Sequence, residues 1–119
     1  MRILVVSEDP RMLDFVRSSV GPEPEYLPAR NGLEAIRIAD DQTPQVVIAD
    51  ETTEPFGAFG LARELKQLAI PPRVIVILER VQDQWLAKWS GADRWLVRPV
   101  DPFGLAEAVR TPAAIGGIA

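Results

Sequence analysis

Four short runs of β-branched and aliphatic residues punctuate the chain: Ile3 to Val6, Val46 to Ala49, Val74 to Leu78, and the weaker Trp95 to Val97. Each is apolar throughout rather than alternating, the pattern of a strand covered on both faces. Tyr26-Leu27, followed by Pro28, suits a sheet edge, where a missing N–H is tolerated. Between these runs the polar and apolar positions take helical spacing. Asp9-Pro10 and Asp101-Pro102 each set a capping carboxylate before a proline suited to a first turn. Asn31 and Glu34 outline a capping box ahead of Leu33, Ile36 and Ile38. Leu61, Leu65 and Leu68 stripe a third helix, and Val81 to Ser90 reads as a fourth, closed by Gly91. Strands alternating with helices predict an α/β fold, because parallel neighbours need crossover connections and those helices cover both faces of the sheet. The pattern assigns residues 1–110 to one domain. Residues 111–119, uncharged and holding Pro112, Gly116 and Gly117, read as a flexible C-terminal tail.

Composition narrows the chemistry. The 119 residues include no His and no Cys, which removes imidazole bases, thiol nucleophiles, disulfides and the usual transition-metal ligands. A net charge of -4 provides no general field for a polyanion, so nucleic acid is not expected as a direct partner. No apolar run approaches the roughly 20 residues of a membrane span, so a cytoplasmic protein without a membrane partner is expected.

In an open parallel sheet, ligands bind beyond the carboxyl ends of the strands. Those ends carry Ser7, Glu8 and Asp9, then Asp50 and Glu51, then Glu79 and Arg80, and finally Arg98. Carboxylates thus converge with at least one arginine. Asp50, directly after Val46-Val47-Ile48-Ala49, sits where a buried strand emerges, and an isolated charge there is costly without a purpose. Asp9 suits a helix cap, Glu8 could face solvent, and Arg98 could simply neutralise the cluster. Two carboxylates and a backbone carbonyl make a hard, all-oxygen site for Mg²⁺; without metal, the cluster should raise the pKa of at least one member. Ser7-Glu8-Asp9-Pro10 supplies neither the Asp-x-Asp of dehalogenase-like phosphatases nor a Gly-rich nucleotide turn, so an enzyme acting on an external substrate has little support.

The order Ile3-Leu4-Val5-Val6, Ala29-Arg30-Asn31-Gly32-Leu33-Glu34-Ala35, Pro44-Gln45-Val46-Val47-Ile48-Ala49-Asp50, Gly60-Leu61, Gly91-Ala92-Asp93 and Arg98-Pro99 resembles the receiver domains of two-component response regulators. The resemblance implies a flavodoxin-like three-layer sandwich with a five-stranded parallel sheet of order 2-1-3-4-5 and five helices. It further implies that Asp50 is the phosphoacceptor, taking a phosphoryl group from a sensor histidine kinase or phosphotransfer protein. Mg²⁺ would be held by Glu8, Asp50 and the Thr52 backbone carbonyl, with Asp9 as a further candidate. It implies, too, a cis peptide between Arg98 and Pro99.

The departures are specific. The acidic pair of that family falls on Ser7 and Glu8, which predicts weak Mg²⁺ binding. Its hydroxyl after the fourth strand falls on Leu78 or Glu79, and its lysine on Arg98, which is not interchangeable at a close phosphate contact. The loop after Asp50 is longer than in that family. Two readings stay open: a phosphorelay receiver switched at Asp50, with Arg98, Glu79 and Trp95 as phosphate and switch residues, or a degenerate receiver acting as a phosphorylation-independent interaction or dimerisation module. Asp50→Asn is expected to raise metal-free stability by relieving repulsion, unless Arg98 already pairs with Asp50.

All three tryptophans, Trp85, Trp89 and Trp95, crowd the fourth helix and fifth strand. Periodicity puts Val81, Trp85, Leu86 and Trp89 on one arc, consistent with core filling. The resemblance instead turns Trp89 outward and makes Trp95 the aromatic that swings when receivers switch. Exposure of at least one of Trp89 and Trp95 is therefore expected, and the three mark a candidate face for a downstream protein target or a homodimer.

Overall fold

The computed structural model describes residues 1–111 and the backbone of residues 116–118. Strands β1 (Arg2–Val6), β2 (Glu25–Ala29), β3 (Val46–Asp50), β4 (Arg73–Leu78) and β5 (Arg94–Val97) form a parallel sheet ordered β2-β1-β3-β4-β5. The order is the predicted one. A further parallel strand, β6 (Gly116–Ile118), pairs with β5 at the far edge. The sequence pattern did not announce it, because two of its three residues are glycine and the segment carries no apolar run. The tail expected over residues 111–119 is thus described at β6, while residues 112–115 and 119 lie outside the described residues.

Helices α1 (Pro10–Val20), α2 (Gly32–Gln42), α3 (Gly57–Leu65), α4 (Gln84–Trp89) and α5 (Pro102–Arg110) make the crossovers. Their starts follow the predicted caps: Asp9 Oδ1 accepts from Arg11 N–H at 3.0 Å, Asn31 Oδ1 from Glu34 N–H at 2.9 Å, and Asp101 Oδ1 from Phe103 N–H at 3.2 Å. Two expected helices come out shorter. α3 stops at Leu65, leaving Leu68 in the following turn, and the Val81 to Ser90 segment divides into a 3₁₀ turn at Val81–Asp83 and the six-residue α4.

Strand side chains alternate between two cores. Leu4, Val6, Val47, Ala49, Val74, Val76, Leu78 and Trp95 pack toward α2, α3 and α4, with Ala35, Leu61 and Ala87 against them. Ile3, Val5, Val46, Ile48, Ile75, Ile77 and Leu96 pack toward α1 and α5, with Met12, Val16, Leu105 and Val109. Each such side chain taken from water contributes about 1.5–3 kcal/mol, which explains why period-2 placement is held so strictly.

Candidate functional site

Strand register positions the site. Val6 pairs with Ala49 and Leu78 with Val97, so one step further along the chain Ser7 lies beside Asp50 and Glu79 beside Arg98. All four continue the alternation on the α1 and α5 side of the sheet, and their side chains meet there. With Glu8, Asp9 and Thr52 they line one cavity of about 400 Å³ at the carboxyl ends of the strands. Of the strand-end residues, Glu51 and Arg80 are not part of this lining, and the tryptophans lie elsewhere.

Asp50 is only 7% exposed. Its Oδ2 accepts from Arg98 Nη2 at 3.0 Å and stands 3.4 Å from the Ser7 hydroxyl, while Oδ1 is 3.5 Å from the Thr52 hydroxyl. Arg98 Nε donates to Glu79 Oε1 at 3.1 Å, so a single guanidinium bridges the two carboxylates. This pairing fulfils the condition under which Asp50→Asn brings no gain in stability. The peptide between Arg98 and Pro99 is cis, as the resemblance implied, and that between Glu54 and Pro55 is cis as well.

The acidic residues after β1 do not converge on Asp50. Glu8 is exposed, and Asp9 is committed to capping α1 and to an ion pair with Arg11 at 2.8 Å. The Arg11 guanidinium and backbone N–H hold the Asp9 carboxyl below its ordinary pKa. Ser7 Oγ accepts from Asp9 N–H at 3.0 Å, so one of its two lone pairs already serves the backbone. Among the described residues no three acidic side chains are grouped to hold a metal ion. Of the expected Mg²⁺ ligands, Glu8, Asp50 and Thr52 line the cavity and offer few carboxylates. That set is poor in charge and fits no tight site.

A second acidic pair, Glu51 with Asp83, lies beside the cavity. Burial raises the Glu51 pKa, and the neighbouring Asp83 and Glu79 charges add to the rise, although Glu79 N–H donates to Glu51 Oε1 at 2.6 Å. The Glu51 carboxyl hydrogen-bonds the buried Asp83 and, with Arg80, lowers the Asp83 pKa. Glu51 thus lies outside the Glu8 and Asp50 cluster for which a raised carboxylate was expected, and burial rather than mutual repulsion is the first cause of its rise. Asp83 escaped the sequence reading; the only local signal was its position three residues after Arg80.

The tryptophans part company. Trp95 is 6% exposed, within the α2, α3 and α4 core, and its indole N–H finds no partner among the described residues. Burial removes Trp95 from the candidate partner face. Trp85 and Trp89 are 66% and 73% exposed, and Val81 lies open with them, so the arc that periodicity suggested for the core faces outward. The core position on α4 belongs to Ala87 because the helix is too short to bury a wider stripe. Arg63 of α3 lies over the Trp89 ring at 5.3 Å.

No protein-family model matches the chain. A response regulatory protein of Mycobacterium tuberculosis, itself uncharacterized, is 34% identical over 125 residues, covering 95% of this chain and 94% of the relative. Protein PilH of Pseudomonas aeruginosa is 25% identical over 118 residues, covering 95% of this chain and 98% of the relative. The solved structure of the chemotaxis response regulator CheY4 of Vibrio cholerae superposes with a TM-score of 0.82 at 19% identity, over 94% of this chain and 98% of that one.

Proposed function

The chain belongs to the response-regulator receiver family, and from that premise we propose that it is a signalling module switched by phosphoryl transfer to Asp50, with Mg²⁺ held weakly by Glu8, Asp50 and the Thr52 carbonyl. One observation carries the reading. A buried carboxylate stands where the ends of β1, β3 and β5 meet, open to a cavity and flanked by two hydroxyls and a guanidinium. Asp50 Oδ1, held among the described residues only by the long Thr52 contact, is the freer oxygen and would attack phosphorus on the phosphohistidine of a sensor kinase or phosphotransfer protein. An O–P bond forms as the N–P bond breaks, giving an acyl phosphate on Asp50. Ser7 Oγ and Thr52 Oγ1 lie within reach to donate to the new phosphoryl oxygens. Arg98 would turn from Asp50 Oδ2 toward them, keeping a planar, charge-assisted contact. Mg²⁺, when bound, supplies further neutralisation of the transferring group. The module is modified and read rather than turning over an external substrate.

The Arg98 bridge favours a second reading. A guanidinium already shared between Asp50 and Glu79 meets two carboxylates with one positive charge, so the site stays net negative and Glu79 opposes an incoming phosphoryl group at close range. A degenerate receiver of that kind would act as a standing interaction or dimerisation module. In both readings the outward face is Trp85 with Trp89, because large exposed aromatics anchor interfaces. Among the described residues no helix is long and apolar enough to cross a membrane, and we place the protein in the cytoplasm with its kinase and target.

Intact-mass measurement after incubation with acetyl phosphate and Mg²⁺ decides between the two. One added phosphoryl group on the parent and none on Asp50→Asn supports the first reading. A folded parent that stays unmodified leaves the second.

A further inference from the structure

Two glycines in different helices have no backbone reason to be glycine. Gly32 opens α2 and Gly60 lies inside α3, and neither takes the left-handed region. Glycine inside a helix is a poor choice beside alanine, so a position that keeps it needs another explanation. Both positions face the same side chain. A Cβ at position 32 would lie 2.8 Å from Phe56 Cδ2 and 3.2 Å from Cε2, and a Cβ at position 60 would lie 2.8 Å from Phe56 Cβ. The ring rests on α2 and its stem on α3. Glu54, in the same loop, accepts the Gly32 N–H at 2.6 Å. One backbone hydrogen bond and one ring contact therefore fasten residues 54–56 to the start of α2.

The other end of this six-residue loop is Asp50 itself. Thr53 donates its N–H at 3.0 Å and its hydroxyl at 2.6 Å to the Asp50 carbonyl, and Ala58 N–H donates to the Glu51 carbonyl at 3.2 Å. Gly57, at φ +71°, makes the turn that lets Phe56 lie back while α3 begins. A movement at Asp50 that shifts Thr52 and Thr53 reaches Gly32 through the Glu54 carbonyl and through the covered side of Phe56, which is 40% exposed and rests on the two glycines rather than inside the core.

We propose that Phe56 is the positioning residue of the Asp50 loop and couples the state of Asp50 to the first turn of α2. The proposal rests on Asp50 being the functional centre and deepens that reading. It names a route separate from the Arg98 and Glu79 bridge, which joins Asp50 to the ends of β4 and β5 without Phe56.

Backbone amide NMR on a double-mutant cycle tests the coupling. Asp50→Asn should move the Gly32 and Leu33 resonances in the parent and by clearly less in a Phe56→Ala background, where the Gly32 N–H bond to the Glu54 carbonyl is the link that remains, while Glu79 responds in both. A merely structural role would not make the α2 response depend on the pair. Undiminished movement of Gly32 and Leu33 without Phe56, or none in the parent while Thr52 and Thr53 move, would overturn the proposal. Should Phe56→Ala fail to fold, Gly60→Ala decides: its added methyl displaces the ring while keeping it, and exchange of the Gly32 amide should rise about tenfold. Unchanged exchange would overturn the proposal too. The cycle uses no phosphoryl donor and no metal, so failure of acetyl phosphate to modify Asp50 counts against the function proposed above and leaves this result standing.

Discussion

Besides holding Glu79, Arg98 is the cation that, among the described residues, pairs with the buried Asp50. Replacing it with alanine strands that carboxylate, and the expected loss is about 1–2 kcal/mol, at the low end for a charged hydrogen bond because the guanidinium is 40% exposed. Asp50→Asn should cost less than Arg98→Ala, because Arg98 keeps Glu79. Urea denaturation of the two variants in one buffer checks the order, and a larger loss for Asp50→Asn would contradict the bridge. Trp95 is the opposite case, a large apolar side chain whose indole N–H is unmet among the described residues. Trp95→Phe removes the orphaned N–H, worth about 1–3 kcal/mol, and opens a cavity of comparable cost. The sum is a stability within about 1 kcal/mol of the parent, against a loss of about 3–5 kcal/mol for Trp95→Ala. Thermal denaturation separates the two substitutions.

At the scale of the element, α4 departs furthest from its sequence pattern. Alanine at Trp85 or Trp89 should change stability by no more than about 0.5 kcal/mol, since neither fills the core. Sedimentation velocity should show whether any self-association weakens in the same variants. Periodicity misplaced α4 because a helix of six residues turns too little for a stripe to identify its buried side, and tertiary packing chose Ala87. The strands were legible for the opposite reason: burial on both faces demands continuous apolar runs, and nothing else in the chain produces Val46-Val47-Ile48-Ala49. The caps at Asp9, Asn31 and Asp101 were legible because capping is local chemistry. What the sequence left open was long-range partnership, including whether Arg98 pairs with Asp50. Asp50 and Arg98 are far apart in the chain, and only strand register and parity make them neighbours.

Across the whole molecule, carboxylates of opposite tendency divide the pH scale. Asp9 and Asp83 have lowered pKa values, so the stability they contribute is present above the ordinary aspartate value of 3.8 and is lost as pH falls through their folded values. Glu51 is raised, so its contribution is complete below 4.5 and is lost as pH rises through its folded value. Glu51→Gln should therefore be more stable than the parent near neutral pH, with the advantage gone in acid. Chemical denaturation at the two pH values tests the sign. The sheet itself ends differently on its two sides. Pro28 takes a donor out of β2, and β6 brings only three residues to the side of β5. A short strand and a proline are both poor templates for strand addition by another chain. Copies of this protein are thus discouraged from joining sheet to sheet, a route that leads to aggregation, and any specific association is left to the helical faces.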